Sequence, residues 1–316
     1  MKRLRIPGLV DRIDVDDLRE ISKVIADPRT DREFHTPTVL VNWFLLKRSL
    51  SALSLNGKRF PTMTSRAVHA NSPERDNLWN ALQARIPGIR QGPAELEPLA
   101  KWITGSGSDA EIGIITQQLL GSLFSNNFRA TPESWRAAQI LVAAPRLSNI
   151  PKLIWWSISG KVRRAKTLLA AMVSEDLSAV NAIGIAVHNV VKGMKHMRSL
   201  YSDDRGRCTL TPEEVAKQCL FAPINVFRQA TAAGNINGCP FSRHSLFVLN
   251  IGVASKCLNG DRLVFLQDTW SGCPAADWVP AMLEGVWRRA LTVSGTTDRA
   301  ACPSTPPQNT ANHATN

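Results

Sequence analysis

Apolar positions recur at helical spacing through most of the chain. In residues 11–26, Leu18, Ile21, Val24 and Ile25 form a stripe that Asp14 or Asp16 can cap and Asp27-Pro28 ends, so a helix is predicted there. Residues 37–53 are apolar and follow Thr36-Pro37, which predicts a second helix; 56–76 are polar and contain Pro and Gly, which predicts a long loop. A short helix is expected over 74–85, closed by Pro87-Gly88, with a linker at 87–93. Further helices are expected at 94–103, 109–124 and 132–143, the last opened by Thr131 as N-cap and Pro132 in the first turn. The apolar stretch 152–172 is crossed by basic residues. The longest candidate helix is 176–200, where Ile183, Val187, Val190, Val191, Met194 and Met197 keep one face.

The character changes after residue 200. Asp203-Asp204-Arg205-Gly206 reads as a turn, and Thr211-Pro212-Glu213-Glu214 opens another helix with a Thr cap and an acidic first turn. Strand-like pieces follow at 224–229, 235–238 and 246–251, then a helix at 275–291. The pattern predicts a mainly α chain with a small β portion, organised as one domain over 1–295. The Thr, Pro and Asn of residues 296–316 show no apolar period, which predicts a disordered tail.

Composition narrows the function classes. At 316 residues and 44% apolar content the chain can bury a large core, which excludes a wholly disordered protein. No run of 18 apolar residues predicts a transmembrane segment, and no apolar stretch follows the basic start to suggest a cleaved secretory signal. The net charge of +12 suits an acidic partner, an anionic membrane surface or nucleic acid. All six cysteines lie after residue 207, and none forms a Cys-x-x-Cys pair, which argues against a zinc ribbon. Without a secretory signal, the expected compartment is the reducing cytoplasm.

Several short patterns have ordinary readings. Gly105-Ser106-Gly107-Ser108 matches a loose dinucleotide fingerprint, but Lys101-Trp102-Ile103-Thr104 makes a poor preceding strand, so a turn is expected. His188 and His196 are two helical turns apart, too far to share a metal. Lys161, Arg163, Arg164 and Lys166 follow Trp155-Trp156; the expected reading is a helix with one packed and one solvated face, beside a nucleic-acid or membrane surface as the sharper alternative.

Residues 211–290 carry a more specific pattern: helix, Pro, Arg-bearing strand, Gly turn, apolar strand, loop, Cys-Pro, helix. Pro223 precedes Arg228 on a strand-like piece, Asn235-Ile236-Asn237-Gly238 leads a hairpin, and Gly272-Cys273-Pro274-Ala275-Ala276 enters the last helix. This series resembles the C-terminal part of the cytochrome P-450 superfamily, the haem-thiolate monooxygenases. The resemblance implies a P-450-like helical fold and haem b (iron protoporphyrin IX), with Cys273 as its axial ligand and Gly272 beside it. It implies that Arg228 meets a haem propionate through charge-assisted hydrogen bonds and that Glu214 anchors the core on the proximal side. A thiolate ligand favours O–O cleavage, and a helix starting at Cys273 would lower that thiol's pKa. The helix 176–200 would cross the distal face, bringing Ser178 and Asn181 to the reacting ligand.

Departures from the family pattern shape the alternatives. No Ala-Gly-x-x-Thr run is present, Lys217 stands where the Glu-x-x-Arg helix has its arginine, and Leu266 to Gly272 do not match the usual run before the cysteine. Lys cannot make the bidentate fork of Arg, so the usual ion-pair network is weakened. The implied function is a haem-thiolate oxidoreductase, using O₂ or a peroxide, acting on a small apolar substrate. With no flavin or iron–sulfur motif in view, electrons would come from an acidic ferredoxin or flavodoxin type of partner. The alternatives are a non-catalytic scaffold of the same fold without functional haem, and a basic helical nucleic-acid-binding protein, which lacks a recognised binding motif.

Overall fold

The computed structural model describes residues 1–35, 39–146, 150–256 and 260–295; the tail expected at 296–316 lies outside them. The chain opens with a hairpin where a helix was expected. Strands β1 (Lys2–Ile6) and β2 (Val10–Val15) pair antiparallel, and only α1 (Leu18–Ala26) is helical. Ile13 and Val15 alternate with polar residues at period two and are fully buried, so they belong to a strand face. The cap of α1 is Asp17, whose carboxylate accepts from the backbone N–H of Arg19 and Glu20.

After β3 (Thr30–Asp31) come α2 (Leu40–Ala52), a small hairpin of β4 (Ser54–Leu55) and β5 (Lys58–Arg59), a turn of 3₁₀ helix at Pro61–Met63, and α3 (Arg66–Ala70). The polar stretch read as one loop is therefore structured. Helix α4 (Pro73–Arg90) runs through Pro87, past the expected end. It does so because α15 (Trp278–Val293) lies against it: a side chain at Gly285 of α15 would meet the Ile89 carbonyl at 2.0 Å. Helices α5 (Glu97–Ile103), α6 (Glu111–Ser122) and α7 (Pro132–Ala143) follow. The last of these opens with a reciprocal Thr131–Ser134 capping box. Gly160, at φ 61°, divides the basic stretch into α8 (Ile150–Ile158) and α9 (Lys161–Met172).

The long helix is α10 (Leu177–Asn181) and α11 (Val187–Ser202), joined by a π-helical turn at Ala182–Ala186. Short helices α12 (Asp204–Thr209) and α13 (Pro212–Gln218) lead to β6 (Val226–Ala230). Then come β7 (Gly234–Ile236), β8 (Cys239–Phe241), β9 (Leu246–Leu249) and α14 (Ile251–Ala254). The main sheet has the order β1-β2-β9-β6-β3, with β2 and β9 parallel and the other pairs antiparallel. One core lies among the helices, around Trp102, Met194, Trp278 and Trp287; a second lies between the sheet and α1, and a third between the sheet and α2.

Among the described residues no helix is long and apolar enough to cross a membrane. The Gly105–Ser108 run is a loop between α5 and α6, with no βαβ unit around it. His188 stacks on Trp135 at 4.8 Å, and His196 meets the edge of Phe221 at 6.1 Å. Lys166 points inward and donates to the carbonyls of Ser51 and Ser54, while Arg163 and Arg164 stay exposed. Cys208 is held in a disulfide, so not every cysteine is a free thiol; Cys219, Cys239 and Cys273 are free.

Candidate functional site

Cys273 lies in a turn between the 3₁₀ stretch Asp261–Phe265 and α15. Its backbone N–H donates to the Phe265 carbonyl at 2.9 Å, and that of Gly272 donates to Thr269 at 3.0 Å. The approach is strained: Leu266 and Asp268 take φ of 52° and 60°, a region that L residues with side chains avoid. Cys273 sits in an open cleft of about 390 Å³ that Arg75, Trp79, Gly272 and Asp277 also line.

The expected depression of the Cys273 pKa does not occur. Burial in the surrounding protein pushes the thiol up, although its surface reaches solvent through the cleft; the Ala275 backbone and the Arg75 charge pull the other way with less effect. Helix α15 begins five residues further on, at Trp278, so its N-terminal dipole does not act on Cys273 as the sequence pattern implied.

Beside Gly272 a dense cationic pocket surrounds Trp270. The indole N–H donates to the Ile25 carbonyl at 2.9 Å, which fixes the ring. Three guanidinium groups lie over that ring: Arg32 at 4.7 Å, Arg66 at 5.0 Å and Arg228 at 5.2 Å from its centre. Arg228, fully buried on β6, donates to Ser271 Oγ at 2.7 Å and to the Phe227 carbonyl at 2.8 Å. Arg75 of α4 donates to the Gly272 carbonyl at 3.3 Å. His69 of α3 meets the Trp270 edge at 6.0 Å.

The pocket holds more donors than the protein satisfies. Nε of Arg32, Arg66, Arg75 and Arg228, one Nη of Arg32 and Nε2 of His69 are buried with no hydrogen-bond partner. Buried polar atoms are normally paired, so this concentration points to an anion. Asp31 does not neutralise the group, because one of its oxygens is taken up by the backbone N–H of Arg32 and Arg66. The electrostatics agree. Burial, with Arg32 adding to it, holds the Arg228 pKa well below the usual arginine value. Burial lowers that of Arg32 to about 10. His69 is pushed down to about 3, by burial first and then by Arg32, Arg75 and Arg228.

One polar thread leaves this pocket toward the long helix. Arg32 donates to the Thr62 carbonyl at 3.2 Å, and Thr62 Oγ1 lies 3.4 Å from Asn181 Oδ1. Asn181 immediately precedes the π turn, where Gln117 donates to the Ile183 carbonyl at 2.9 Å. Such turns often mark functional positions. Ser178 lies in the first turn of α10, its backbone N–H held by the Asp176 cap.

Five of the six sequence-expected site residues fall along this route, and Glu214 does not. It is exposed and completes a reciprocal capping box with Thr211, which lowers its pKa through the Thr211 backbone and hydroxyl donors. The expected core anchor is therefore a local helix cap, for a physical reason: an N3 carboxylate that reaches back to its N-cap stays on the surface. The neighbouring Glu213–Lys217 pair is an exposed i,i+4 contact at 3.1 Å. Arg32, Arg66, Arg75, His69 and Trp270 were not foreseen. Trp270, three positions before Cys273, was the one hint in the sequence.

No family model and no curated protein matches the sequence. Solved structures do. The chain superposes on ligand-free cytochrome P-450 OleT with a TM-score of 0.58 at 10% identity, covering 88% of this chain and 80% of that one. The chain has the cytochrome P-450 fold. Similar agreement is found with the P-450 enzyme CxnD, described as acting in C–S bond formation in chuangxinmycin biosynthesis (TM-score 0.58, 12% identity, 89% and 80% coverage). A third is P-450 BioI in complex with a hexadec-9Z-enoic acid ligated acyl carrier protein (0.51, 15%, 88% and 84%). At such identities the likeness establishes the mainly α P-450 architecture with its small sheet, in a divergent form.

Proposed function

We propose that this chain is a haem-thiolate oxidoreductase acting on a small apolar substrate. The observation that carries the reading is the group of unpartnered, buried guanidinium donors around Trp270, next to a reachable free cysteine on a P-450 fold. Those residues fit haem b, a planar apolar ring with two carboxylates and a metal that takes a thiolate. Arg228, Arg32 and Arg75 would hold the carboxylates through charge-assisted hydrogen bonds. Cys273 would be the axial ligand, with Gly272 leaving room beside it. When bound, the haem supplies an iron at which O₂ or a peroxide is activated.

The chain's own groups would do the rest. The Cys273 thiol must lose its proton to ligate, so binding releases a proton and tightens as pH rises. Neutral His69 can donate a hydrogen bond to an anion without adding charge. Asn181, placed by Thr62, and Ser178 are proposed to face the distal pocket and orient the oxidant. Glu214 is assigned only its capping role. The net charge of +12 suits an acidic ferredoxin or flavodoxin type of electron donor.

The test is the absorption spectrum of haem-supplemented, purified protein, reduced and exposed to CO. A red-shifted thiolate-type Soret band is expected. A folded protein with no Soret band would favour the second reading, a scaffold without haem, to which the absence of a buried Glu214 ion pair already lends support.

A further inference from the structure

Helix α2 is polar inside and apolar outside. Its inward side includes Asn42, fully buried, whose amide donates to the Asp11 carbonyl at 2.6 Å, and Ser49, also buried. Its outward stripe at i, i+3, i+4 and i+7 is Leu40, Trp43, Phe44 and Lys47. A helix on a water-facing surface normally has the reverse arrangement.

The stripe continues onto the β1–β2 hairpin. The first amides of α2 have no side-chain cap; Leu40 and Val41 donate instead to the carbonyls of Gly8 and Leu9 at 3.4 and 2.9 Å, joining helix and hairpin. Leu4 and Ile6 of β1 pair with Arg12 and Val10, and Arg12 pairs with Leu246, whose side chain packs on the α2 side of the sheet. Residues paired directly across strands share a face, so Leu4 and Ile6 extend the apolar surface of α2, and Leu9 closes it at the turn. Leu4, Ile6, Leu9, Leu40, Trp43 and Phe44 are between 36% and 60% exposed. So large a grouping of exposed apolar side chains marks an interaction surface.

Cations border it. Lys2 lies on the same face of β1, Arg5 on the edge strand, and Lys47 stacks its ammonium 4.6 Å from the Trp43 ring. We infer that this surface docks the protein on an anionic lipid membrane, with Trp43, Phe44, Leu40 and Leu9 entering the interface and Lys2, Arg5 and Lys47 meeting headgroups. Aromatic and aliphatic side chains rimmed by Lys and Arg suit the headgroup boundary. A second copy is disfavoured, since Lys2, Arg3 and Arg5 on the open edge of β1 would repel their counterparts. Nucleic acid is disfavoured because Leu4, Ile6, Leu9 and Leu40 give bases no ring to stack on. Helix α8 offers a second such grouping, Trp155 and Ile158 at 66% and 77% exposure, with Lys161 against Trp156. The inference stands independently of the haem reading.

The test is co-sedimentation of the full chain with sucrose-loaded vesicles of phosphatidylcholine, with and without phosphatidylserine. Binding to the phosphatidylserine vesicles, weakened by salt, is expected, with a blue shift of tryptophan emission. The double variant Trp43→Ser/Phe44→Ser should lose about tenfold or more in partitioning while keeping its melting temperature. Lys47→Glu should lose about fivefold on the anionic vesicles and little on the neutral ones. Wild-type protein left in the supernatant, or a double variant that binds as wild type does, overturns the inference. So does a dimer that the double variant dissolves, or salt-dependent oligonucleotide binding that it abolishes, each of which assigns the surface to another occupant.

Discussion

In the helical bundle, Glu284 takes Arg90 at 2.9 Å, and Glu97 takes both Arg289 at 2.5 Å and Lys101 at 2.8 Å. Around Trp270, four guanidinium groups and a histidine converge with Asp31 as the main internal counter-charge. The bundle solves its electrostatics within the chain. The pocket leaves its donors to something from outside, at a cost in the ligand-free state that a bound anion would remove. Unmatched charge, and not burial alone, separates the two regions.

The largest expected effect tests whether the pocket and the thiol serve one ligand. Cys273→Ala should abolish the thiolate-type Soret band completely while Cys239→Ala leaves it intact; equal behaviour of the two variants would break the axial assignment. Next, Arg228→Met should lower haem affinity about a hundredfold, since two charge-assisted contacts are worth about 3 kcal/mol together. In the ligand-free protein the same change should leave the melting temperature unchanged or raise it, because an uncompensated buried charge disappears. A variant less stable without ligand would show that the arginine is structural.

In the bundle the sign reverses. Gly285→Ala forces a methyl group against the Ile89 carbonyl and should cost about 3 kcal/mol in denaturant titration with or without haem. A smaller effect sharpens the pocket side. Unfolded His69 takes a proton near 6.5 and the folded one resists to about 3, so the unfolded state binds more protons between those values. Stability should therefore fall as pH drops through that window, and His69→Gln should flatten the fall. A bound dicarboxylate should flatten it too. The smallest effect belongs to the bundle: the Glu97 pKa is held down to about 2, chiefly by Lys101 and then Arg289. Its contribution is present above its ordinary value and is lost as pH falls toward about 2, so the melting-temperature gap to Glu97→Gln should close over that range and be insensitive to haem.

Much of this was legible in the chain because it is local. Thr131-Pro132 and Thr211-Pro212 start helices through contacts spanning three residues, and the strands near 226 and 246 lie where their β-branched and apolar runs place them. The opening hairpin was misread because Val10 to Val15 and Leu18 to Ile25 adjoin, and period two runs into period 3.6 without a Gly or Pro between them. Glu214 was misassigned by family analogy although its own neighbours, Thr-Pro-Glu-Glu, spell a cap.

The sequence by itself determined the helical periodicity, the caps and the order of elements from residue 211 onward that ends at Cys273. These depend on neighbours a few bonds away. Tertiary structure alone decided that Arg32, Arg66, Arg75 and Arg228, from four separate segments, meet over Trp270, and that α2 turns its apolar stripe outward. Charge matching and burial depend on which distant groups share a dielectric environment, and no spacing along the chain encodes that.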